Sequence, residues 1–285
     1  MNKEELRLLK LEGYMRQEDK EHFSLRVMTT AGNLTSDQVR CLSDIADMYG
    51  KGYMGFTTRQ CIEIPWIKEE LIPQVKRKIA EAGLKTGGTG FTVVGVAGCK
   101  GSICKYGLID SQEIARKLDE KFLGMELPGK FKIGITACPN NCVKAPISDL
   151  GFMAQNEPKV EIDTCKGCKI CERTCKVKAI EIVDKKAVIN YGKCLSCGQC
   201  IKNCPFKAMK LEKEGLVMYI GGKFGRDIRL GNRVIRYVNV DEIESLSEKV
   251  INYYKESGKK GERLGKTIDR LGIDSIKKAL DLEIN

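Results

Sequence analysis

The sequence predicts an α+β fold, and three observations support this prediction. Between residues 22 and 96 the hydrophobic pattern gives strands and helices in the order β-α-β-β-α-β, the split βαβ or ferredoxin-like α/β sandwich. Eight cysteines between Cys165 and Cys204 form two runs of identical spacing. Two further cysteine pairs follow predicted strands outside this repeat. We therefore expect sheets and helices together with an inserted cysteine-rich unit.

The first predicted unit carries clear local signals. Alternation of Phe23, Leu25 and Val27 predicts a strand, and Thr35 with Gln38 forms a capping box that opens a helix ending at Gly50. The full predicted order is a helix over residues 3–12, a strand over 22–30, the helix up to 50, strands over 52–58 and 60–66, a helix over 68–82 and a last strand over 91–96.

The remaining sequence continues the same mixture of elements. We predict a helix from Asp110 to Phe122, a strand over 131–136, strands over 217–220 and 234–238, a helix capped by Asp241 and Glu244, and two short helices over 262–285. The expected domains are residues 1–88 (N-terminal helix and half-domain), 89–157 (second α/β domain), 158–211 (cysteine-rich insert) and 212–285 (strands and helices that complete the second domain).

Composition narrows the class of protein. The chain has 285 residues, a net charge of +11 and no apolar run long enough for a membrane span, so we expect a cytoplasmic protein. Its 14 cysteines then indicate metal binding rather than disulfides. No basic block with interleaved aromatic residues is present, so nucleic acid is not an expected partner.

The two cysteine runs predict iron–sulfur clusters. Each run has the spacing C-x2-C-x2-C-x3-C, in which three cysteines bind one [4Fe–4S] cluster and the fourth binds the other cluster. Lys176 replaces the proline usual after such a run, whereas Pro205 keeps it. A pair of zinc sites is the alternative. The predicted sets are Cys165, Cys168, Cys171 and Cys204, and Cys194, Cys197, Cys200 and Cys175.

A second set of cysteines lies earlier in the chain. Residues 98–104 read GCKGSIC and residues 137–142 read ACPNNC, so each pair follows a predicted strand. Two such pairs can hold one further cubane if the fold brings them together, and the spacing equally allows a structural zinc.

The segments around these pairs resemble a known family. GCKGSICKYGLIDSQ and LPGKFKIGITACPNNCVKAPISDLGF resemble the sirohaem and [4Fe–4S] domain of the sulfite and nitrite reductase family, and residues 25–67 resemble its ferredoxin-like half-domain. The order of parts is most similar to the anaerobic sulfite reductase C subunits and to dissimilatory sulfite reductases. The resemblance implies a reductase domain with an inserted two-cluster bacterial-type ferredoxin domain.

The resemblance also implies roles for individual residues. Cys99, Cys104, Cys138 and Cys142 would hold a third [4Fe–4S] cluster, with the Cys142 sulfur bridging to sirohaem iron. The residues implied to contact cofactor or substrate are Arg26, Arg59, Thr57, Thr58, Lys130, Lys132, Asn140 and Asn141. Independently, Lys130 and Lys132 alternate on a predicted strand, so they share a face that can bind an anion and supply protons. The alternative is two solvated lysines.

The implied function is reduction of sulfite to sulfide by six electrons, delivered through the ferredoxin clusters to a coupled [4Fe–4S]–sirohaem centre. Two features differ from the family: only four residues separate Cys99 from Cys104, and no arginine occurs in residues 93–97. The alternatives are therefore a nitrite reductase or an electron-transfer protein without sirohaem. A single half-domain also implies a homo- or hetero-oligomer, and the expected electron donor is a ferredoxin or an NADH-linked subunit.

Overall fold

The computed structural model describes residues 1–282 and contains three sheets. The strands are β1 (Tyr14–Arg16), β2 (His22–Met28), β3 (Gly55–Phe56), β4 (Ile62–Lys68), β5 (Lys85–Thr86), β6 (Val93–Gly98), β7 (Phe131–Thr136), β8 (Leu150–Val160), β9 (Ile180–Val183), β10 (Lys186–Ile189), β11 (Met209–Ile220) and β12 (Asn232–Val238). The α-helices are α1 (Lys3–Leu11), α2 (Ser36–Tyr49), α3 (Ile72–Glu81), α4 (Ser111–Phe122), α5 (Ile170–Thr174), α6 (Gln199–Lys202), α7 (Ile243–Ser257), α8 (Leu264–Leu271) and α9 (Ile273–Ala279).

The first sheet is antiparallel and belongs to the half-domain. Its order is β1-β2-β4-β3, and β5 pairs with the end of β2. The inward residues of β2 and β4 pack with α2 and α3 in one apolar core that includes Leu25, Leu42, Ile64 and Val75. Helix α2 begins at the predicted capping box, because Thr35 accepts the backbone N–H of Gln38 while the Gln38 side chain accepts that of Thr35.

The second sheet is mixed and is built in the order β12-β11-β8-β7-β6. Strands β6, β7 and β8 are parallel, whereas β8, β11 and β12 are antiparallel. Helices α4 and α7 to α9 contribute to a single large core with this sheet, which includes Phe131, Phe152 and Tyr254. The two short helices predicted near the C-terminus are present as α8 and α9, and residues 283–285 of that prediction lie outside the described part.

Three sequence predictions are wrong in detail. The strand predicted over residues 91–96 is β6, which is part of the second sheet rather than the last strand of the first; β5 takes that place. The reason is the turn at residues 87–90, where Gly87, Gly88 and Gly90 have positive φ and redirect the chain. A side chain at Gly88 would place its Cβ 2.5 Å from the Met28 sulfur.

The second error concerns the strand predicted over residues 60–66. It begins only at Ile62, and Arg59 lies in the tight turn before it, which is closed by a hydrogen bond from the Thr57 N–H to the Cys61 carbonyl. The third error concerns α7. The capping box that precedes this helix is formed by Asn239 and Glu242 rather than by Asp241 and Glu244.

The cysteine-rich segment extends from a long hairpin. Strands β8 and β11 pair continuously from Leu150 opposite Ile220 to Val160 opposite Met209, with one register shift. Residues 161–208 leave the sheet between these ends and form α5, α6 and the two-stranded sheet β9–β10. Within residues 1–282 no helix has the length and apolar character needed to cross a bilayer.

Candidate active site and cysteine clusters

The fold brings the two early cysteine pairs together. Cys99 follows β6 and Cys138 follows β7, and these strands are parallel neighbours, so both residues lie at one edge of the sheet. The Ala137 N–H points at the Cys99 sulfur at 3.2 Å. Burial raises the pKa of Cys138, and the neighbouring side chains of Cys99, Cys142 and Cys104 raise it further.

Glycines make this packing possible. The Cβ of a side chain at Gly101 would lie 2.4 Å from the Ala137 Cβ, and one at Gly107 would lie 2.0 Å from the Gly101 carbonyl oxygen. Ser111 closes the loop from the other side by donating its hydroxyl to the Cys99 carbonyl at 2.8 Å. The loop between Cys99 and Cys104 is therefore compact despite its shortened spacing.

The two asparagines after Cys138 organise the second loop. Asn141 has a left-handed backbone (φ 54°), and its side-chain oxygen accepts the Ala145 N–H at 2.9 Å. The Asn140 N–H is directed at Cys138 and opposes the rise of the Cys138 pKa. Both contacts hold the loop, and Asn140 also lines a neighbouring pocket.

The later cysteines gather in two further groups. A pocket of about 330 Å³ is lined by Cys165, Cys168, Cys171 and Cys204. In the other group, burial raises the pKa of Cys194, and the neighbouring Cys197 and Cys175 side chains raise it further. Burial, together with Cys197 and Cys194, raises the pKa of Cys200 to about 12. Each group thus contains three cysteines of one run and the last cysteine of the other.

The surroundings of these sulfurs match the chemistry of an iron–sulfur cluster. Backbone N–H groups point at cysteine sulfurs, from Ala187 to Cys165 at 3.4 Å, from Ala179 to Cys175 at 3.2 Å and from Ser196 to Cys194 at 3.3 Å. Such bonds stabilise negative charge on cluster thiolates. Within residues 1–282 no three His, Cys, Asp or Glu side chains are placed to bind one metal ion.

A cleft of about 700 Å³ lies along β6 and β7, the strands that lead to the early cysteine pairs. Its lining includes Arg59, Lys132, Lys144 and Thr58, together with Gly95 and Ala97 of β6. No acidic residue is among its lining residues. Gly95 and Ala97 fall in the segment that lacks an arginine, so this wall of the cleft carries only small side chains from β6.

The basic residues around the cleft influence one another. Burial lowers the pKa of Lys130, and the cations Arg59, Arg263 and Arg26 lower it further. Burial also lowers the pKa of Lys132, against the opposing effect of the Asp149 carboxylate. The two lysines are half-buried rather than solvated, which does not match the alternative of ordinary surface lysines.

The two predicted arginines have different partners. Arg26 forms an ion pair with Glu63 and also donates to the Gly88 carbonyl at 3.2 Å. Arg59 donates to the same carbonyl at 2.7 Å and has no acidic partner among the described residues, and burial lowers its pKa. Arg59 is therefore a cation that the protein leaves unneutralised at the cleft. The Thr57 hydroxyl accepts the N–H groups of Arg59 and Cys61 and so shapes the turn.

Three residues of this region were not among the sequence predictions. Arg263, at the start of α8, forms a bidentate ion pair with Asp149 at 3.0 and 2.6 Å, and Asp149 also accepts the Lys132 N–H at 2.9 Å. Lys144 reaches the cleft from a left-handed position (φ 58°). Nothing in the local pattern marks Arg263 or Asp149, whose meeting depends on contact between β8 and the C-terminal helices. Lys144 lies two residues after the ACPNNC motif, and this position in the sequence could have identified it as a candidate residue of the site.

The early cysteine set lies next to the insert. A pocket of about 670 Å³ is lined by Cys138, Asn140 and Tyr106 on one side and by Cys175 and Cys197 on the other. Residues from two of the three cysteine groups thus meet around one cavity.

Comparison with known proteins agrees with this arrangement. Residues 89–285 match the nitrite and sulphite reductase 4Fe-4S domain, and residues 15–82 match the nitrite/sulfite reductase ferredoxin-like half domain. The chain is 35% identical over 255 residues to the coenzyme F420-dependent sulfite reductase of Methanocaldococcus jannaschii, covering 87% of this chain and 41% of that protein. It therefore spans about two fifths of that relative's length. It is 26% identical to the C subunit of the anaerobic sulfite reductase of Salmonella typhimurium, covering 81% and 74% of the two chains.

Solved structures share the fold. Dissimilatory sulfite reductase I superposes with a TM-score of 0.76 at 19% identity, covering 93% of this chain and 70% of that one. The NirA protein of Mycobacterium tuberculosis gives a TM-score of 0.72 at 18% identity, covering 99% and 47%. Together with the matched domains, these findings show that the chain belongs to the nitrite and sulfite reductase family of oxidoreductases.

Proposed function

We propose that this protein is the catalytic subunit of a sulfite reductase, which reduces sulfite to sulfide with six electrons. One observation carries the proposal: a cleft lined by cations and by no acidic residue opens along β6 and β7, the strands that lead to Cys99 and Cys138. A nitrite reductase is the second candidate, because relatives also include the nitrite reductase [NAD(P)H] of Bacillus subtilis, at 23% identity. Sulfite and nitrite are both small anions that such a cleft attracts.

The residues present fit sirohaem and a coupled cubane. Sirohaem carries several carboxylates, which require fixed cations, and Arg59, Lys132 and Lys144 line the cleft without neutralising partners on its walls. Cys99, Cys104, Cys138 and Cys142 would hold the cubane, and Cys142 would also hold the sirohaem. When bound, this pair of groups supplies the metal centre at which the substrate is reduced.

The side chains would bind the anion and supply protons. Arg59 stays charged over the working pH range and would hold the anion. Lys130 and Lys132 have lowered pKa values, so each Nζ releases a proton more readily than an ordinary lysine. Reduction of sulfite consumes protons as well as electrons, and Lys132 in the wall of the cleft, with Lys130 two residues before it, would serve that need.

The insert would supply the electrons. We assign one [4Fe–4S] cluster to Cys165, Cys168, Cys171 and Cys204 and another to Cys194, Cys197, Cys200 and Cys175, which makes residues 158–211 a two-cluster ferredoxin domain. The second group shares a cavity with Cys138, which supports an electron route from the insert to the active site. The net charge of +11 favours an acidic donor such as a ferredoxin. We further propose a cytoplasmic location and an oligomer in which a second chain completes the site.

Anaerobic purification followed by absorption spectroscopy and cofactor analysis tests this assignment. Three cubanes and one sirohaem predict about 13 irons per chain, together with the absorption bands of sirohaem. Protein with about 12 irons and no sirohaem would identify an electron carrier instead, and zinc in place of iron would refute the proposal. Steady-state rates with sulfite and with nitrite, using a reduced viologen dye as donor, distinguish the two reductases.

A matched pair of variants tests the cleft. Lys132→Gln removes a cation of the cleft, whereas Lys117→Gln removes an exposed lysine of α4. We expect a loss of roughly 100-fold or more in kcat/KM for the first variant, in the range typical of a general acid, and no change for the second. Equal rates for the two variants would remove Lys132 from the mechanism.

A further inference from the structure

A set of polar contacts fastens one cysteine loop of the insert to the second sheet. Arg236 of β12 donates to the Ser196 hydroxyl at 3.1 Å and to the Gln155 side-chain oxygen at 3.3 Å, and it forms an ion pair with Glu157 at 3.2 Å. Tyr237 donates its hydroxyl to the same Glu157. We call these five residues, Gln155, Glu157, Ser196, Arg236 and Tyr237, the β8–β12 clamp.

Backbone contacts reinforce the clamp. The Asn156 N–H donates to the Ser196 carbonyl at 2.7 Å, and Asn156 also forms a parallel bridge with Cys197. In addition, the side-chain NH2 group of Gln155 donates to the Leu195 carbonyl at 3.4 Å. All three contacts involve the loop between Cys194 and Cys197, so two consecutive residues of β8 bind three consecutive residues of this loop.

The internal repeat shows that these contacts are specific to one run. Ser196 is equivalent to Gly167 of the first run, and both residues have left-handed backbones, with φ of 54° and 63°. A Cβ at Gly167 would lie 2.4 Å from the Lys185 carbonyl oxygen, so that loop packs within the insert and excludes a side chain. Ser196 is fully buried against the sheet, and its hydroxyl meets Arg236. A serine in this conformation is strained relative to glycine, and its contacts offset the strain.

The clamped loop lies beside the early cysteine set. Leu195 and Cys197 line the cavity that Cys138 also lines. Gly198, which follows Cys197, approaches the sheet so closely that a Cβ there would lie 3.2 Å from the Asn156 Cβ and 3.6 Å from Leu108. Any loosening of this loop therefore changes the separation between the second group of insert cysteines and Cys138.

We propose that Arg236 is a positioning residue that fastens the Cys194–Cys197 loop to the second sheet and thereby fixes the neighbouring cluster next to Cys138. This inference rests on the proposed function, because it takes the second cysteine group to hold a [4Fe–4S] cluster. Arg236 touches neither substrate nor cysteine sulfur. Its effect passes through Ser196, whose N–H in turn points at the Cys194 sulfur at 3.3 Å.

Two measurements on the full-length, anaerobically purified protein test the proposal. The variants are Arg236→Gln and Ser196→Gly, with Arg233→Gln as the control, because Arg233 lies on the same strand and its side chain has no hydrogen bond or ion pair among the described residues. Hydrogen exchange measures protection of the Asn156 amide. EPR-monitored redox titration follows the two insert clusters as separate reduction steps.

We expect both test variants to speed exchange at Asn156 and the control to leave it unchanged. We expect Arg236→Gln to move one insert reduction step to lower potential and to leave the other step in place, because a loosened loop weakens the bond from the Ser196 N–H to the Cys194 sulfur, which favours the reduced cluster. Arg236→Lys keeps the charge and should shift that step less. Unchanged Asn156 exchange, unshifted reduction steps or equal shifts in both steps would each overturn the proposal. Wild-type protein without two insert reduction steps would instead contradict the proposed function, and the exchange measurement tests the clamp in that case.

Discussion

Removal of the Asp149 carboxylate should destabilise the protein strongly. Asp149 is fully buried, and its two oxygens accept Arg263 at 3.0 and 2.6 Å and the Lys132 N–H at 2.9 Å. The Asp149→Ala substitution leaves the Arg263 guanidinium, whose side chain is only 16% exposed, without its acid. Breaking a buried ion pair from one side costs about 3–5 kcal/mol.

The expected effect is large enough for a thermal scan. For a chain of this size each kcal/mol lowers the Tm by about 2 °C, so we expect Asp149→Ala to lower it by about 6–10 °C. Circular dichroism under anaerobic conditions measures this shift. The control is Asp269→Ala, which breaks the more exposed pair with Arg229 and should lower the Tm by about 2 °C or less.

A double variant separates the loss of the charge pair from a general packing defect. Asp149→Leu combined with Arg263→Met removes both charges, and such replacements are often neutral in stability, so we expect it to recover most of the lost Tm. If Asp149→Ala lowers the Tm no more than Asp269→Ala does, or if the double variant is as unstable as the single one, the reasoning about this ion pair is refuted.

Three further predictions concern pH and backbone space. Burial lowers the pKa values of Lys130 and Lys132, so both side chains lose their protons at a pH below the usual lysine pKa of about 10.4. We therefore expect kcat/KM for the anion to fall as the pH rises towards that value. The Lys132→Gln variant should lack part of this fall. Burial raises the pKa of Asp119 to about 6, so ionisation of this carboxyl destabilises the folded state as the pH rises from about 4 to 6. The Asp119→Asn variant should therefore have a higher Tm at pH 8, equivalent to at most about 3 kcal/mol, and no gain at pH 4. Equal gains at both pH values would contradict this prediction. Gly107→Ala would place a Cβ 2.0 Å from the Gly101 carbonyl, so we expect iron content to fall in that variant, and full iron loading would show that the loop adapts.

Local signals in the sequence were sufficient for much of the fold. The capping box at Thr35 and the strand over residues 131–136 lie where the sequence predicts them, because both depend on neighbours along the chain. The assignment of the later cysteines to two clusters rests on their spacing, because spacing on a tight loop constrains geometry directly, and it stays a prediction. The family resemblance added the expectation that the two separated cysteine pairs hold one cluster.

Features that depend on distant contacts were not predictable in this way. Strand β6 was assigned to the wrong sheet, because alternation along a strand does not state which neighbour it pairs with. The Asp149–Arg263 pair joins residues 114 positions apart, and the Ser196–Arg236 contact joins residues 40 apart. Neither pair has a sequence pattern of its own, although both lie beside the proposed chemistry.

The continuous pairing of β8 with β11 has a consequence for the modularity of the chain. Val160 and Met209 are direct partners across the hairpin, so residues 161–208 begin and end at adjacent points of the sheet. A segment with adjoining ends can be shortened, lengthened or exchanged while the strand order stays the same, because only a hairpin connection is altered and closure entropy grows slowly with length. In the core sheet of this protein, residues 161–208 therefore occupy the place that a turn takes in an ordinary hairpin.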